Sequence, residues 1–152
     1  KNKSVEIKLL YNRRFQKSKG EYSSYSLGLK PDFTLSIKTD NGTKFIHFDA
    51  KYRSDIQVKQ INAYEFEEEE DEKRIYKFAD IYKMHTYKDA IKNTLGAYVL
   101  YPGNAPPKIF KQNKPDILPS VGAFPLIPGD NNLNQESNIE CLIEKVLKEL
   151  LN

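Results

Sequence analysis

Cysteine, histidine and long apolar runs are all scarce in this chain of 152 residues. The single cysteine, Cys141, excludes an internal disulfide, and with only two histidines it cannot complete a four-ligand zinc site. No apolar run approaches the roughly 18 residues of a membrane-spanning helix, and no signal-peptide pattern is present. These absences favour a protein of a reducing compartment, and we expect a cytoplasmic location.

Charge is plentiful but unevenly distributed. The formal net charge is +3, yet residues 65–72 (EFEEEEDE) contain seven acids. Without them, 24 basic residues face 14 acidic ones, which is a net charge of +10. A block of like charges is typical of a solvated loop. The basic remainder suggests a polyanionic partner, but by charge alone ordinary surface lysines are the more common explanation.

The length predicts one domain spanning residues 1–152. Because the chain starts with Lys1 rather than Met, we expect it to be a C-terminal fragment of a longer protein. Hydrophobic periodicity predicts two helices, one over residues 78–94 and one after the capping box of Ser137 and Glu140, in which Cys141 is buried. It also predicts strands at 5–9, 33–38, 43–51, 97–101, 108–110 and 121–127, with a long basic loop over 11–30. The fold class is therefore α/β or α+β, with helices covering a sheet.

The second and third strands form the clearest motif, a hairpin whose turn is predicted at Asn41-Gly42. That turn places Asp32 opposite Lys51 and diagonal to Asp49, all on one face, and a slip of two residues keeps them there. The other face carries the apolar residues Phe33, Leu35, Ile37, Ile46, Phe48 and Ala50. The polar face is then either a solvated surface with a salt bridge or a chemical site.

Two features favour the site. Pro31 sets the entry to the strand just before Asp32, and Asp49 and Lys51 stand at the end of an apolar strand. Two convergent carboxylates suit Mg²⁺, which can polarise a phosphodiester and lower the pKa of a bound water. A neighbouring lysine can orient that water and stabilise charge on the phosphate.

These residues also resemble a known family. Pro31-Asp32 followed by Asp49-Ala50-Lys51 is similar to the motif of the PD-(D/E)xK nuclease superfamily. The surrounding segments resemble the nuclease domain of McrC-like proteins and related modification-dependent restriction systems. Those segments are SYSLGLKPDFTL at 24–35, FIHFDAKYR at 45–53, DIYKMHTYKDAI at 80–91 and AYVLYPG at 97–103.

The resemblance implies a restriction-endonuclease-like core, with a central mixed β-sheet flanked by helices. It implies Mg²⁺-dependent cleavage of double-stranded DNA in phage defence, with Mn²⁺ as a substitute metal and an AAA+ GTPase or ATPase partner. Asp32 and Asp49 would be metal ligands, the carbonyl of Ala50 a third ligand, and Lys51 the catalytic lysine. The family's usual glutamate on a preceding helix has no good counterpart, since Glu6 and Glu21 are poorly placed, and we expect it upstream of Lys1.

Further residues could support such a site. Lys83 and Tyr87 lie four residues apart on the helix over 80–91, beside its apolar stripe. Their side chains either extend along that stripe with their polar ends in solvent, or reach the metal site or a phosphate. In the loop over 11–30, Arg13, Arg14 and Lys30 are the candidates for contact with nucleic acid. Two alternatives to a restriction nuclease remain open: a repair or junction-resolving nuclease, and a catalytically silent DNA-binding or assembly module.

Overall fold

The computed structural model describes residues 4–51, 78–103, 106–126 and 133–151. Those ranges contain counterparts of every predicted strand and of both predicted helices, whereas the acidic segment 65–72 lies outside them. The helices are α1 (Phe78–Ala90) and α2 (Leu133–Leu151). The strands are β1 (Glu6–Tyr11), β2 (Gln16–Lys17), β3 (Ser23–Ser24), β4 (Phe33–Thr39), β5 (Gly42–Ala50), β6 (Thr94–Tyr101), β7 (Lys108–Lys111) and β8 (Ser120–Pro125).

Six of these strands form one mixed sheet in the order β1-β4-β5-β6-β8-β7. The central strands β5, β6 and β8 are parallel, while β1, β4 and β7 run antiparallel to their neighbours. A parallel step needs a crossover connection, and α1 lies in the one between β5 and β6. The predicted fold class, a mixed sheet flanked by helices, is confirmed.

The β4–β5 hairpin differs from the predicted one by a shift of two residues. Thr39 pairs with Gly42, so the turn consists of Asp40 and Asn41 instead of Asn41 and Gly42. Gly42 has a φ of 101° and takes the positive-φ position as the first residue of β5. Since side chains alternate with a period of two, this shift changes the partners and leaves the faces unchanged.

Helices α1 and α2 pack on opposite faces of the sheet. Ile81, Met84 and Tyr87 of α1 pack with Phe45 of β5 and with Phe15 of the preceding loop. On the opposite face, Leu142 and Val146 of α2 pack on Leu35, Phe48 and Phe124. Each side chain named here is buried. The polar face of the hairpin therefore lies under α1, and its interpretation as a solvated outer surface is wrong.

The loop over 11–30 is more structured than predicted, and it determines where α1 ends. The backbone N–H of Tyr25 and the hydroxyl of Ser24 both donate to the carbonyl of Ala90, at 3.0 Å each. Helix carbonyls at a C-terminus need such outside partners. Helix α1 consequently ends at Ala90, four residues before the predicted end, and Asn93 then takes a positive φ of 62°.

The start of helix α2 and the exposure of Cys141 differ from the predictions made from the sequence. It begins at Leu133, so Ser137 lies inside the helix and is not its N-cap. Cys141 is exposed instead of buried, because the neighbouring Leu142 and Val146 occupy the face that meets the sheet. Among the described residues, no helix is long and apolar enough to cross a membrane.

We expect Leu142→Ala to lower the free energy of unfolding by about 2–5 kcal/mol, because a 2%-exposed side chain would leave a cavity between α2 and the sheet. Urea denaturation monitored by circular dichroism would measure this. Cys141→Ala on the adjacent exposed position is the matched control, with a change within about 0.5 kcal/mol. Equal destabilisation by both variants would contradict the packing described for α2.

Candidate active site

Asp32 is positioned at the start of β4 by contacts from two neighbouring strands. Its carbonyl accepts the backbone N–H of Asn12, at 2.8 Å, directly after β1. Its carboxylate oxygen Oδ2 accepts the backbone N–H of Ala50, also at 2.8 Å, at the end of β5. Continuing the β4–β5 register by one residue places Asp32 directly opposite Asp49. This direct position differs from the diagonal arrangement predicted from sequence.

Asp49 is the buried centre of the site, with only 2% of its surface exposed. Its oxygen Oδ1 accepts hydrogen bonds from Nζ of Lys83, at 2.8 Å, and from the hydroxyl of Tyr87, at 3.2 Å. Nζ of Lys51 forms an ion pair with the other oxygen, Oδ2, at 2.5 Å. The structure therefore brings five predicted residues together: the two aspartates, Lys51, and the helix residues Lys83 and Tyr87.

The protonation states follow from these contacts. Burial alone would raise the pKa of Asp49, but the ammonium groups of Lys51 and Lys83 outweigh it and hold that pKa below its ordinary value. Burial likewise would lower the pKa of Lys83, and its contact with Asp49 reverses the effect and raises it. Burial and the charge of Asp49 raise the pKa of Tyr87. At neutral pH, Asp49 is a carboxylate, Lys83 an ammonium ion and Tyr87 a hydrogen-bond donor.

The donor set fits a hard divalent cation. Oδ2 of Asp49 is buried and contacts Nζ of Lys51, and a carboxylate oxygen has a second lone pair that can bind a further ligand. The N–H of Ala50 points to Asp32, and because both backbone groups of a strand residue face the same neighbour, its carbonyl is directed to the same side. Carboxylate and carbonyl oxygens are the ligands that Mg²⁺ prefers. In the described part of the chain, no group of three or more acidic, histidine or cysteine side chains converges, so a third carboxylate is not found there.

Beside this site, Thr34, His47 and Thr94 form a hydrogen-bonded group around a buried histidine, and the sequence analysis did not predict it. His47 is fully buried, and its Nδ1 contacts the Thr34 hydroxyl at 2.8 Å while its Nε2 contacts the Thr94 hydroxyl at 2.9 Å. The ring packs edge-on against Phe15 and lies 6.1 Å from the ring of Tyr87. The alternation of side chains along a strand was enough to predict that Thr34 and His47 share one face. Their partner Thr94 belongs to β6, and no sequence pattern indicated how β6 aligns with β5.

Burial lowers the pKa of His47 to about 3. In the unfolded chain histidine titrates near 6.5, so between these values the unfolded state binds a proton that the folded state does not. His47 therefore contributes stability that is present above about pH 6.5 and is lost as the pH falls toward 3, by up to about 1.4 kcal/mol per pH unit.

We expect His47→Gln to be less stable at pH 7 but to lose less stability than the wild type between pH 6.5 and pH 4. Urea unfolding at several pH values would measure the difference in slope. His85→Gln, at an exposed histidine of α1, is the control and should retain the wild-type slope. A wild-type slope in His47→Gln would show that His47 does not remain neutral in the folded protein.

The predicted nucleic-acid contacts lie in the connection between β1 and β4. Arg13, Arg14 and Lys30 are all exposed. The guanidinium of Arg13 stacks 4.0 Å above the ring of Tyr22, while the carbonyl of Lys30 accepts the Tyr87 hydroxyl at 3.4 Å. The backbone of Lys30 thus touches the site through Tyr87.

Comparison with known proteins identifies one relationship. A family model described as the PD-(D/E)XK nuclease superfamily matches residues 1–106. The matched range includes both aspartates, Lys51, Lys83 and Tyr87, together with the strands β1 to β6 and helix α1. No curated protein and no solved structure is significantly similar to the chain.

Proposed function

Because the chain belongs to the PD-(D/E)XK nuclease superfamily, we propose that it is a metal-dependent endonuclease acting on double-stranded DNA. Membership implies a nuclease with a nucleic-acid substrate and a restriction-endonuclease-like fold, while the choice of DNA and of Mg²⁺ belongs to the proposal. The observation that carries it is the buried carboxylate of Asp49, opposite Asp32 and paired with Lys51 and Lys83. Such a combination is what phosphodiester hydrolysis requires, since negative ligands must hold a cation while ammonium groups face a phosphate.

In this proposal Asp32, Asp49 and the Ala50 carbonyl hold Mg²⁺, and Mn²⁺ substitutes for it. When bound, the ion polarises the phosphodiester and lowers the pKa of a coordinated water. Lys51, whose side chain is 24% exposed, orients the attacking water and stabilises charge on the phosphate. Tyr87 donates to Asp49 and keeps its carboxylate oriented, because the buried phenol cannot ionise at neutral pH. Arg13, Arg14 and Lys30 are the proposed contacts with the DNA backbone.

The biological setting is proposed on the sequence segments that resemble McrC-like proteins. We infer a cytoplasmic restriction activity in phage defence that works with an AAA+ GTPase or ATPase subunit. Specificity would then reside outside the residues described above, because the contacts proposed for them are with phosphate and metal, which carry no sequence information.

A cleavage assay tests the proposal. The full chain should nick or cut plasmid DNA in Mg²⁺ or Mn²⁺, with any energy-dependent partner supplied, and EDTA should abolish the activity. Supercoiled plasmid, single-stranded DNA, a four-way junction and RNA of matched length should be compared in parallel. Preferential cleavage of the junction would identify the repair alternative, and tight DNA binding without cleavage in any metal would identify a silent binding module.

A further inference from the structure

Lys83 is the least enclosed member of the group around Asp49. Its side chain is 42% exposed, against 24% for Lys51 and 2% for Asp49. It reaches the carboxylate from helix α1, on a flexible stem that can place the ammonium elsewhere at little cost.

Asp49 does not depend on Lys83 for its hydrogen bonding. The Tyr87 hydroxyl donates to the same oxygen, Oδ1, at 3.2 Å. If Lys83 turned toward another anion, this oxygen would keep one donor, so no buried acceptor would be left unsatisfied. Lys83 and Tyr87 are four residues apart on one helix face, which places both donors over the same carboxylate.

The formal charges of the site explain why a bound anion would favour metal binding. Asp32 and Asp49 carry two negative charges, and Lys51 and Lys83 carry two positive ones. A divalent cation held by the aspartates adds two positive charges beside both ammonium groups, in a partly buried place where charges are poorly screened. A phosphodiester contributes a negative charge and offers the ammonium groups a new acceptor.

From this arrangement we propose that Lys83 is a phosphate-binding residue that couples metal binding to nucleic-acid binding. It pairs with Asp49 when no phosphate is present and moves to a phosphate oxygen when nucleic acid is bound, which relieves the repulsion on the metal. Metal and nucleic acid then bind with positive cooperativity, and each strengthens the other by the same factor. The inference rests on the proposed function, whose metal and substrate it uses, and it adds a role for one residue of α1.

Calorimetry with Mn²⁺ tests the coupling without reference to turnover. Mn²⁺ is titrated into the full chain alone and in the presence of a short duplex whose phosphorothioate linkages keep their charge and resist hydrolysis. For the wild type, we expect the duplex to strengthen Mn²⁺ binding about tenfold or more, within the usual range of coupling between sites. For Lys83→Gln, we expect this strengthening to fall below about threefold. Lys83→Arg, which keeps the charge, should restore most of it.

Two further variants separate charge coupling from a structural effect. Lys88→Gln changes a lysine of the same helix that contacts Gln112 instead of Asp49, and it should keep the wild-type coupling. Tyr87→Phe removes the other hydrogen bond to Oδ1 without changing the charge. Because Oδ1 then lacks a donor when Lys83 leaves, we expect this variant to reduce the coupling, but by clearly less than Lys83→Gln does. Loss of coupling in Tyr87→Phe equal to that in Lys83→Gln would overturn the proposal, since any loosening of Asp49 would then suffice.

The remaining outcomes are equally decisive. Mn²⁺ affinity that the duplex leaves unchanged, in a wild-type chain that cuts DNA, would overturn the role of Lys83 and leave the nuclease intact. Coupling of wild-type strength in Lys83→Gln would likewise overturn the role of Lys83 and leave the nuclease intact. A wild-type chain that binds no Mn²⁺ with or without the duplex, and cuts no nucleic acid, would refute the proposed function together with this inference.

Discussion

Asp49→Asn is expected to lower the rate of DNA cleavage by about 100-fold or more, since even the outer partners of catalytic metals contribute 10- to 100-fold. Asparagine keeps the shape of the side chain and an oxygen for Tyr87, but it removes the charge that a cation and both lysines face. Lys51→Ala should have an effect of about the same size, because it removes the ammonium group that we propose to stabilise charge on the phosphate. Initial rates on supercoiled plasmid in saturating Mg²⁺ would measure both.

The fold should survive these changes. Lys51 and Lys83 are partly exposed and can turn to solvent when the carboxylate charge is lost, so circular dichroism should be close to that of the wild type. Lys38→Ala, at an exposed lysine near the turn of the same hairpin, is the matched control and should cut at the wild-type rate. Cleavage at the wild-type rate by Asp49→Asn or Lys51→Ala would show that the reaction takes place elsewhere.

The second large effect concerns metal affinity. Asp32→Asn should weaken Mn²⁺ binding by about tenfold or more, because a neutral amide replaces one of the two proposed negative ligands. The amide oxygen can still accept the N–H of Ala50, so the start of β4 should keep its position. Calorimetric titration of Mn²⁺ into the variant and the wild type would give the ratio of dissociation constants.

A matched control is Asp40→Asn, which removes the same charge from an exposed position in the hairpin turn. It should leave the Mn²⁺ affinity unchanged, because the turn is at the far end of the hairpin from Ala50. If Asp32→Asn binds Mn²⁺ as tightly as Asp40→Asn does, Asp32 is not a metal ligand.

Local sequence patterns were enough to predict the hairpin and the shared face of its functional residues. Asp32, Asp49 and Lys51 lie on one face because side chains in strands alternate with a period of two, and this holds for any even shift in register. The predicted register of the hairpin was wrong by two residues, because Gly42, with its positive φ, is the first residue of β5 and not part of the turn. The three residues stayed together, but the partner of Asp32 changed from Lys51 to Asp49.

Tertiary packing decided which of these faces are buried and what reaches them. Lys83 and Tyr87 lie 34 and 38 residues from Asp49 along the chain, and periodicity left open whether they snorkel beside α1 or reach the site. The structure resolves that alternative because α1 packs on the polar face of the hairpin. Cys141 shows the converse, since an apolar sequence context suggested burial and the orientation of α2 on the sheet exposed it.

The sequence by itself thus determined the six strands of the main sheet, the presence of both helices, the shared face of the two aspartates and Lys51, and the superfamily, since these depend on nearest neighbours and short motifs. Only the tertiary structure decided the burial of Asp49, its pairing with two lysines and a tyrosine, and the contact of His47 with Thr94. The physical reason is that a side chain's pKa and hydrogen-bond partners depend on which distant elements exclude water from it. No pattern within one strand or helix contains that information.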